Sequence, residues 1–220
     1  MPETKQRATI EAVHAALRAD LITGVHPPGE RLKFAPLCER YGASVSVVRE
    51  ALTRLEQQGL VESEPRIGFR VRQVSVEDLD DLTETRIDVE TLALRHAIEH
   101  GDIDWETALV AAHHRLERTA MLSDDDPPQL RDDWESAHVA FHDALLAGCT
   151  RRWLLGMART LRDAGEFYRR LSQVHEPDRD VAGEHRGLLD AALARDADEA
   201  TRLLREHYER TAAIVRDALE

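Results

Sequence analysis

Apolar residues recur along this chain at two periods, and the change of period divides it. Ile10, Val13, Leu17 and Leu21 fall three or four apart, a helical stripe within Thr4–Thr23, with Gly24 after it. A short helix is expected over Ala35–Tyr41, and another between Ser44 and Gly59, where Val48, Ala51, Leu52 and Leu55 make one apolar stripe. Ser44 suits an N-cap, because its hydroxyl can accept from a free first-turn N–H, and Gly59 supplies a C′ stop. Two short helices joined by the tight Gly42-Ala43 turn form a helix-turn-helix. After Gly59 come two extended runs, LVES and GFRVRQV, around a turn with Pro65 and Gly68, which reads as a two-stranded wing. From Val76 onward only helical spacing remains, over Val76–His100, Asp104–Leu122, Gln129–Ala147, Arg151–Gln173, Asp180–Arg195 and Ala197–Ala218. The pattern predicts a mainly α protein, with a winged helix-turn-helix over 1–74 and an all-α bundle of six helices over 75–220.

Alone, the helix-turn-helix pattern also suits any amphipathic helix pair. The segments PPGERL (Pro27–Leu32), VREALTRLEQQGLV (Val48–Val61) and GFRV (Gly68–Val71) occur in order, and on them the chain resembles the GntR family of bacterial transcription regulators. The helical part is similar to the FadR-type ligand domain of that family, the FCD domain, in its six-helix, VanR-like variety. The resemblance implies a DNA-binding regulator, most often a repressor, acting as a symmetric homodimer on a roughly palindromic operator. It also implies that the helical part serves effector binding and dimerisation.

The net charge of −13 looks wrong for a DNA binder until it is divided. Residues 1–73 hold 11 Lys/Arg and 9 Asp/Glu, a balance of +2, whereas 74–220 hold 18 and 33, a balance of −15. Binding to phosphates is therefore expected to be local to the first part. Two cysteines, Cys38 and Cys149, exclude a disulfide framework or a thiolate zinc site. No membrane-length apolar run and no signal peptide are found, so a soluble, cytoplasmic protein without membrane partners is expected.

The first turn of a recognition helix meets base edges, which makes Ser44, Val45, Ser46 and Arg49 the natural readers. Arg49 can donate two hydrogen bonds to guanine or clamp a phosphate. Thr53 and Arg54 lie on the same face, and Arg54 either meets phosphate or pairs with Glu50. Arg66, beside Gly68 at the wing tip, is placed to enter a minor groove. Many family members have an Arg where this chain has Val45 and another where it has Ala35, so the usual family operator is not assumed.

His138 and His142 are four apart, hence on one helix face, flanked by Trp134, Phe141 and Leu145. His185 and His207 also fall on apolar stripes of later helices. Imidazoles on inward faces are costly unless satisfied, and a divalent transition metal, zinc or nickel, satisfies them. Each is equally readable as an ordinary core histidine, and His113 meets the same criterion. FadR-type domains commonly carry an Asp-x-x-x-His pair and two later histidines. Here the Asp position is His138, either a direct ligand of an all-His site or an outer residue. His14, His26, His96, His100, His114 and His175 read as surface or turn residues.

Arg86 interrupts the stripe Leu79, Leu82, Val89, Ala93, so it either pairs with Glu90 or awaits an anionic ligand. Tyr168 is a pocket candidate or a core residue. The sequence thus points to a regulator whose operator binding responds to a small carboxylate effector at a metal-containing pocket. A metal-sensing regulator and a helical metallohydrolase are the alternatives. The last lacks a recognisable catalytic motif, so no enzyme is expected.

Overall fold

The computed structural model describes residues 9–219 except 23, 65, 74, 125–129 and 176–178. The chain forms two compact units, Met1–Ser75 and Val76–Glu220. Because residues 74 and 75 are uncharged, the units inherit the balances of +2 and −15.

In the first unit, α1 (Ile10–Ile22) buries Val13, Leu17 and Leu21 against α3 (Val45–Gln57), which buries Val48, Ala51, Leu52 and Leu55. Residues 4–8 and 23 of the predicted first helix lie outside the described residues. Between these helices, α2 (Phe34–Tyr41) ends at Gly42, whose φ of 60° lies in the left-handed region that glycine adopts at little cost. The Ser44 hydroxyl caps α3 by accepting from the Val47 N–H at 3.4 Å, and Gly59 (φ 72°) follows its end. The wing strands β2 (Val61–Glu64) and β3 (Gly68–Val71) pair antiparallel, Val61 opposite Val71 and Glu64 opposite Gly68. A third strand, β1 (Arg31–Leu32), joins the other side of β3 with Leu32 opposite Phe69, where the sequence indicated only a turn leading into a helix. Two residues carry no periodicity; β1 exists because β3 offers it a ladder.

The second unit contains α4 (Val76–His100), α5 (Ile103–Glu117), α6 (Asp132–Leu146), α7 (Arg152–His175), α8 (Val181–Leu193) and α9 (Ala197–Leu219). Its core is built on Leu94, Leu109, Phe141, Leu145, Leu188 and Leu204. The turn after α6 is pressed onto α4: a Cβ at Gly148 would lie 2.6 Å from the Ala97 carbonyl oxygen, so only glycine fits there. The helix expected to reach Leu122 stops at Glu117, because Leu122 pairs with Leu130 in an isolated antiparallel bridge and Met121 accepts from the Arg131 N–H. For the same reason α6 begins at Asp132 rather than at Gln129. A second correction concerns His96, read as a surface or turn residue. It is buried, with its ring stacked on His100 at 4.0 Å, because it lies on the inward face of α4 beside Ala97.

Candidate DNA-binding face and candidate metal centre

On α3, Ser44, Val45, Ser46 and Arg49 are exposed, and the Ser44 and Ser46 hydroxyls lie 2.9 Å apart. Thr53 is half-buried and donates to the Arg49 carbonyl at 3.0 Å, so its hydroxyl is engaged by the backbone. The Arg54 guanidinium donates to Glu50 at 3.3 Å and lies 3.6 Å from Glu11, the ion-paired alternative for this residue. Arg49 is held differently, with its guanidinium carbon 4.5 Å from the centre of the Phe34 ring. At the wing tip, Arg66 is exposed with a φ of 66°, and Gly68 follows at 107°. L side chains rarely adopt that left-handed region, and the turn is closed by the Ile67 N–H donating to the Glu64 carbonyl at 3.1 Å.

In the second unit, α6 contributes His138 and His142, α8 contributes His185 and α9 contributes His207. All four are buried, and one ring nitrogen of each converges, all within 4.8 Å of one another. An ion bound by imidazoles at about 2.0–2.1 Å needs its ligands within roughly 4 Å of each other, so small side-chain adjustments suffice. The donor chemistry fits. Nε2 of His138 and Nε2 of His142 face each other at 3.1 Å, while His185 Nε2 and His138 Nδ1 are buried without a hydrogen-bond partner among the described residues. Burial, reinforced by the neighbouring histidines, holds His138, His142 and His185 neutral, the form that donates to a metal. His207 is lowered as well, chiefly by burial.

An outer layer orients this set. The His207 Nδ1–H donates to Glu184 at 2.6 Å, which fixes the tautomer and leaves Nε2 for the centre. Burial alone would raise the Glu184 carboxyl, but hydrogen bonds from His207 and Arg179 outweigh it and bring it down to about 2. The Trp134 ring stacks on His138, with ring centres 4.8 Å apart. A cavity of about 230 Å³, lined by His113, Met121, Trp134, Arg179 and His185, touches the four-histidine group at His185, from the side of α5, α6 and α8.

Arg86 is buried and ion-paired to Glu90 at 2.9 Å, its guanidinium 4.0 Å from the centre of the Tyr208 ring. Tyr208 donates to the other Glu90 oxygen at 2.7 Å. Tyr168 is also buried and donates to Asp78 at 2.9 Å. The sequence reading missed Arg162, Arg169, Glu135 and Glu184. Arg169 pairs with Glu135 at 2.7 Å and Arg162 with Asp143 at 3.0 Å, and one Arg162 nitrogen, Nη1, is buried without a partner among the described residues. The signal available for Arg162 and Arg169 was their spacing of seven on a stripe shared with Ala158, the argument already applied to Arg86.

A winged helix-turn-helix with an exposed reading helix, on one chain with a six-helix bundle, defines the class: a DNA-binding transcription regulator. The chain belongs to the GntR family, with an FCD C-terminal domain. Residues 9–71 match the family of bacterial regulatory proteins named gntR, and residues 81–210 match the FCD domain. It is 40% identical over 217 residues to the HTH-type transcriptional regulator BphR of Paraburkholderia xenovorans, covering 98% of this chain and 89% of that one. It is 33% identical over 208 residues to the HTH-type transcriptional repressor GlaR of Escherichia coli, covering 92% and 94%. The fold is shared with the structure of E. coli McbR/YncC, at a TM-score of 0.72 and 22% identity, covering 98% and 100%. These relatives are transcription regulators, not enzymes. Among the described residues no helix is long and apolar enough to cross a membrane.

Proposed function

We propose that this protein is a repressor whose operator binding is controlled by a small organic acid taken up at a metal centre of His138, His142, His185 and His207. The observation that carries this reading is the convergence of one ring nitrogen from each of four buried imidazoles at one point. A divalent zinc or nickel ion bound there supplies a Lewis-acidic site for a carboxylate oxygen. Glu184 holds His207 in the donating tautomer, and Trp134 holds the His138 ring. A cavity of about 230 Å³ suits a small metabolite, since sites for drug-sized ligands run to roughly 300–1,000 Å³. Arg86, paired with Glu90 under the Tyr208 ring, and Tyr168, bonded to Asp78, do not line this cavity, so effector contact by either requires exchange of its internal partner. The DNA contacts are Ser44, Val45, Ser46, Arg49, Arg66 and Gly68, with Thr53 and Arg54 at the edge of the face, where Thr53 donates to the Arg49 carbonyl and Arg54 meets phosphate only by leaving Glu50 and Glu11. The protein acts as a symmetric homodimer on a roughly palindromic operator, and the effector acts by binding two arrangements of the dimer unequally.

A second reading makes the metal itself the signal. It is favoured by the donor set, because four imidazoles can complete a tetrahedral zinc shell by themselves, so that a carboxylate would have to enter as an added ligand.

Elemental analysis of tag-free protein beside His142→Ala tests the centre, with about one metal per chain expected in the wild type and none in the variant. Operator binding is then measured with metal alone and with a panel of carboxylates. Release by a carboxylate supports the first reading and release or tightening by metal alone the second. No metal in either protein, after incubation with zinc or nickel, removes both.

A further inference from the structure

Arg49 and Arg54 lie five residues apart on one helix, yet the fold restrains them by opposite means. Arg54 is ion-paired to Glu50 and Glu11. Arg49 makes neither an ion pair nor a side-chain hydrogen bond among the described residues; its guanidinium rests over the ring of Phe34. Phe34 opens α2 and is only half-buried, so filling the core is not its whole role. Its ring meets Phe69 edge-on, with centroids 6.3 Å apart and planes at 87°. Phe69 is a buried residue of β3, the strand that runs from the wing tip. Phe34 is thus braced by the wing strand and presents a face to the recognition helix.

The choice of restraint matters for a side chain that has to meet DNA. A free arginine loses rotamer freedom when it binds. A carboxylate partner would remove that freedom in advance, but it would also neutralise the charge and occupy N–H donors that a guanine or phosphate needs. An aromatic face attracts the cation through its quadrupole and leaves the in-plane N–H groups available.

We propose that Phe34 is a positioning and specificity-determining residue of the DNA face. It holds the Arg49 guanidinium pre-oriented with every donor free, and its contact with Phe69 makes reading helix and wing a single reader. This rests on Arg49 being a DNA contact, and the experiment separates the two claims.

The probe is a set of duplexes selected from a random pool by the full-length protein, with affinity read by fluorescence anisotropy. Phe34→Met keeps apolar volume and removes the ring; Phe34→Tyr keeps the ring. The Met variant is expected to bind about two- to five-fold more weakly and the Tyr variant within about two-fold of wild type. Re-selection with the Met variant is expected to relax the preference at the base pair that Arg49 reads. In an Arg49→Ala background, Phe34→Met is expected to add nothing. If Arg49→Ala binds as wild type does, the reading of Arg49 fails and takes this proposal with it. If Arg49→Ala is weak but Phe34→Met binds normally, or weakens both backgrounds equally, Phe34 does not position Arg49. Melting curves accompany each variant. Should Phe34→Met melt below the assay temperature, the free wild-type protein decides. Ring-current displacement of the Arg49 Nε–H and δ-methylene resonances is expected, and its absence overturns the proposal.

Discussion

The two units are filled with different material. In Met1–Ser75 the described buried side chains are apolar, from Val13 in the first helix to Val71 in the last strand. In Val76–Glu220 an apolar core surrounds buried Arg86, Glu90, Glu135, Arg162, Glu166 and Arg169 as well as the four histidines. Every buried charged or polar side chain among the described residues belongs to this second unit. The difference separates two ways of working on a ligand. A reader of DNA acts from its surface, so its interior needs only to be stable and its charges stay outside. A unit that takes a small molecule inside has to hold polar groups away from water, where each stays tolerable only while partnered.

Several substitutions break or sharpen this contrast. The largest effect is expected where a buried pair is halved. Glu135→Ala removes the buried carboxylate paired with Arg169, leaving the guanidinium its bond to the Arg162 carbonyl but uncompensated by Glu135, and should cost about 3–5 kcal/mol of stability, whereas Glu135→Leu combined with Arg169→Met should restore much of the loss. Urea unfolding followed by tryptophan fluorescence checks both, because Trp105, Trp134 and Trp153 all lie in the second unit. A single variant as stable as wild type would show that water reaches this interior. Leu52→Ala, in the apolar unit, should cost about 2–5 kcal/mol by opening a cavity. It should shift the circular-dichroism transition and leave the tryptophan transition in place; movement of both would mean that the units unfold as one. Ser44→Ala removes the cap of the recognition helix and should cost about 1 kcal/mol in the same assay. The smallest effect belongs to Arg54→Ala, whose partly exposed pairs with Glu50 and Glu11 should contribute under about 1 kcal/mol, less at high salt. A larger loss would show that surface charge has a structural part in the first unit after all.

The same contrast explains what was legible in the sequence. The apolar unit was written in local code: the Ser44 cap, the Val48–Leu55 stripe, and Gly42 and Gly59 each announce their own element. The four histidines were visible because each interrupts an apolar stripe at helical spacing, and the Arg86–Glu90 pair because its partners are four residues apart. Glu135 with Arg169 was not, since its partners are 34 residues apart and each reads as solvated until the other is placed. Glu184 was hidden for a related reason. It precedes His185 in sequence, but its role depends on His207, 23 residues later on another helix. Long-range polar pairing is set by packing, which periodicity does not encode.

The charge carried by the two units, +2 and −15, has a consequence for how salt acts on this molecule. Each phosphate contact releases counterions and steepens the fall of log affinity with log salt by about 0.9. The acidic unit is repelled by the same polyanion, and added salt screens that repulsion, with a Debye length of about 10 Å at 0.1 M. The two responses have opposite signs in one titration. Wherever the acidic unit comes within that length of the phosphates, the slope expected for the whole chain is shallower than its recognition helix and wing alone would give, and a phosphate count taken from it is a minimum.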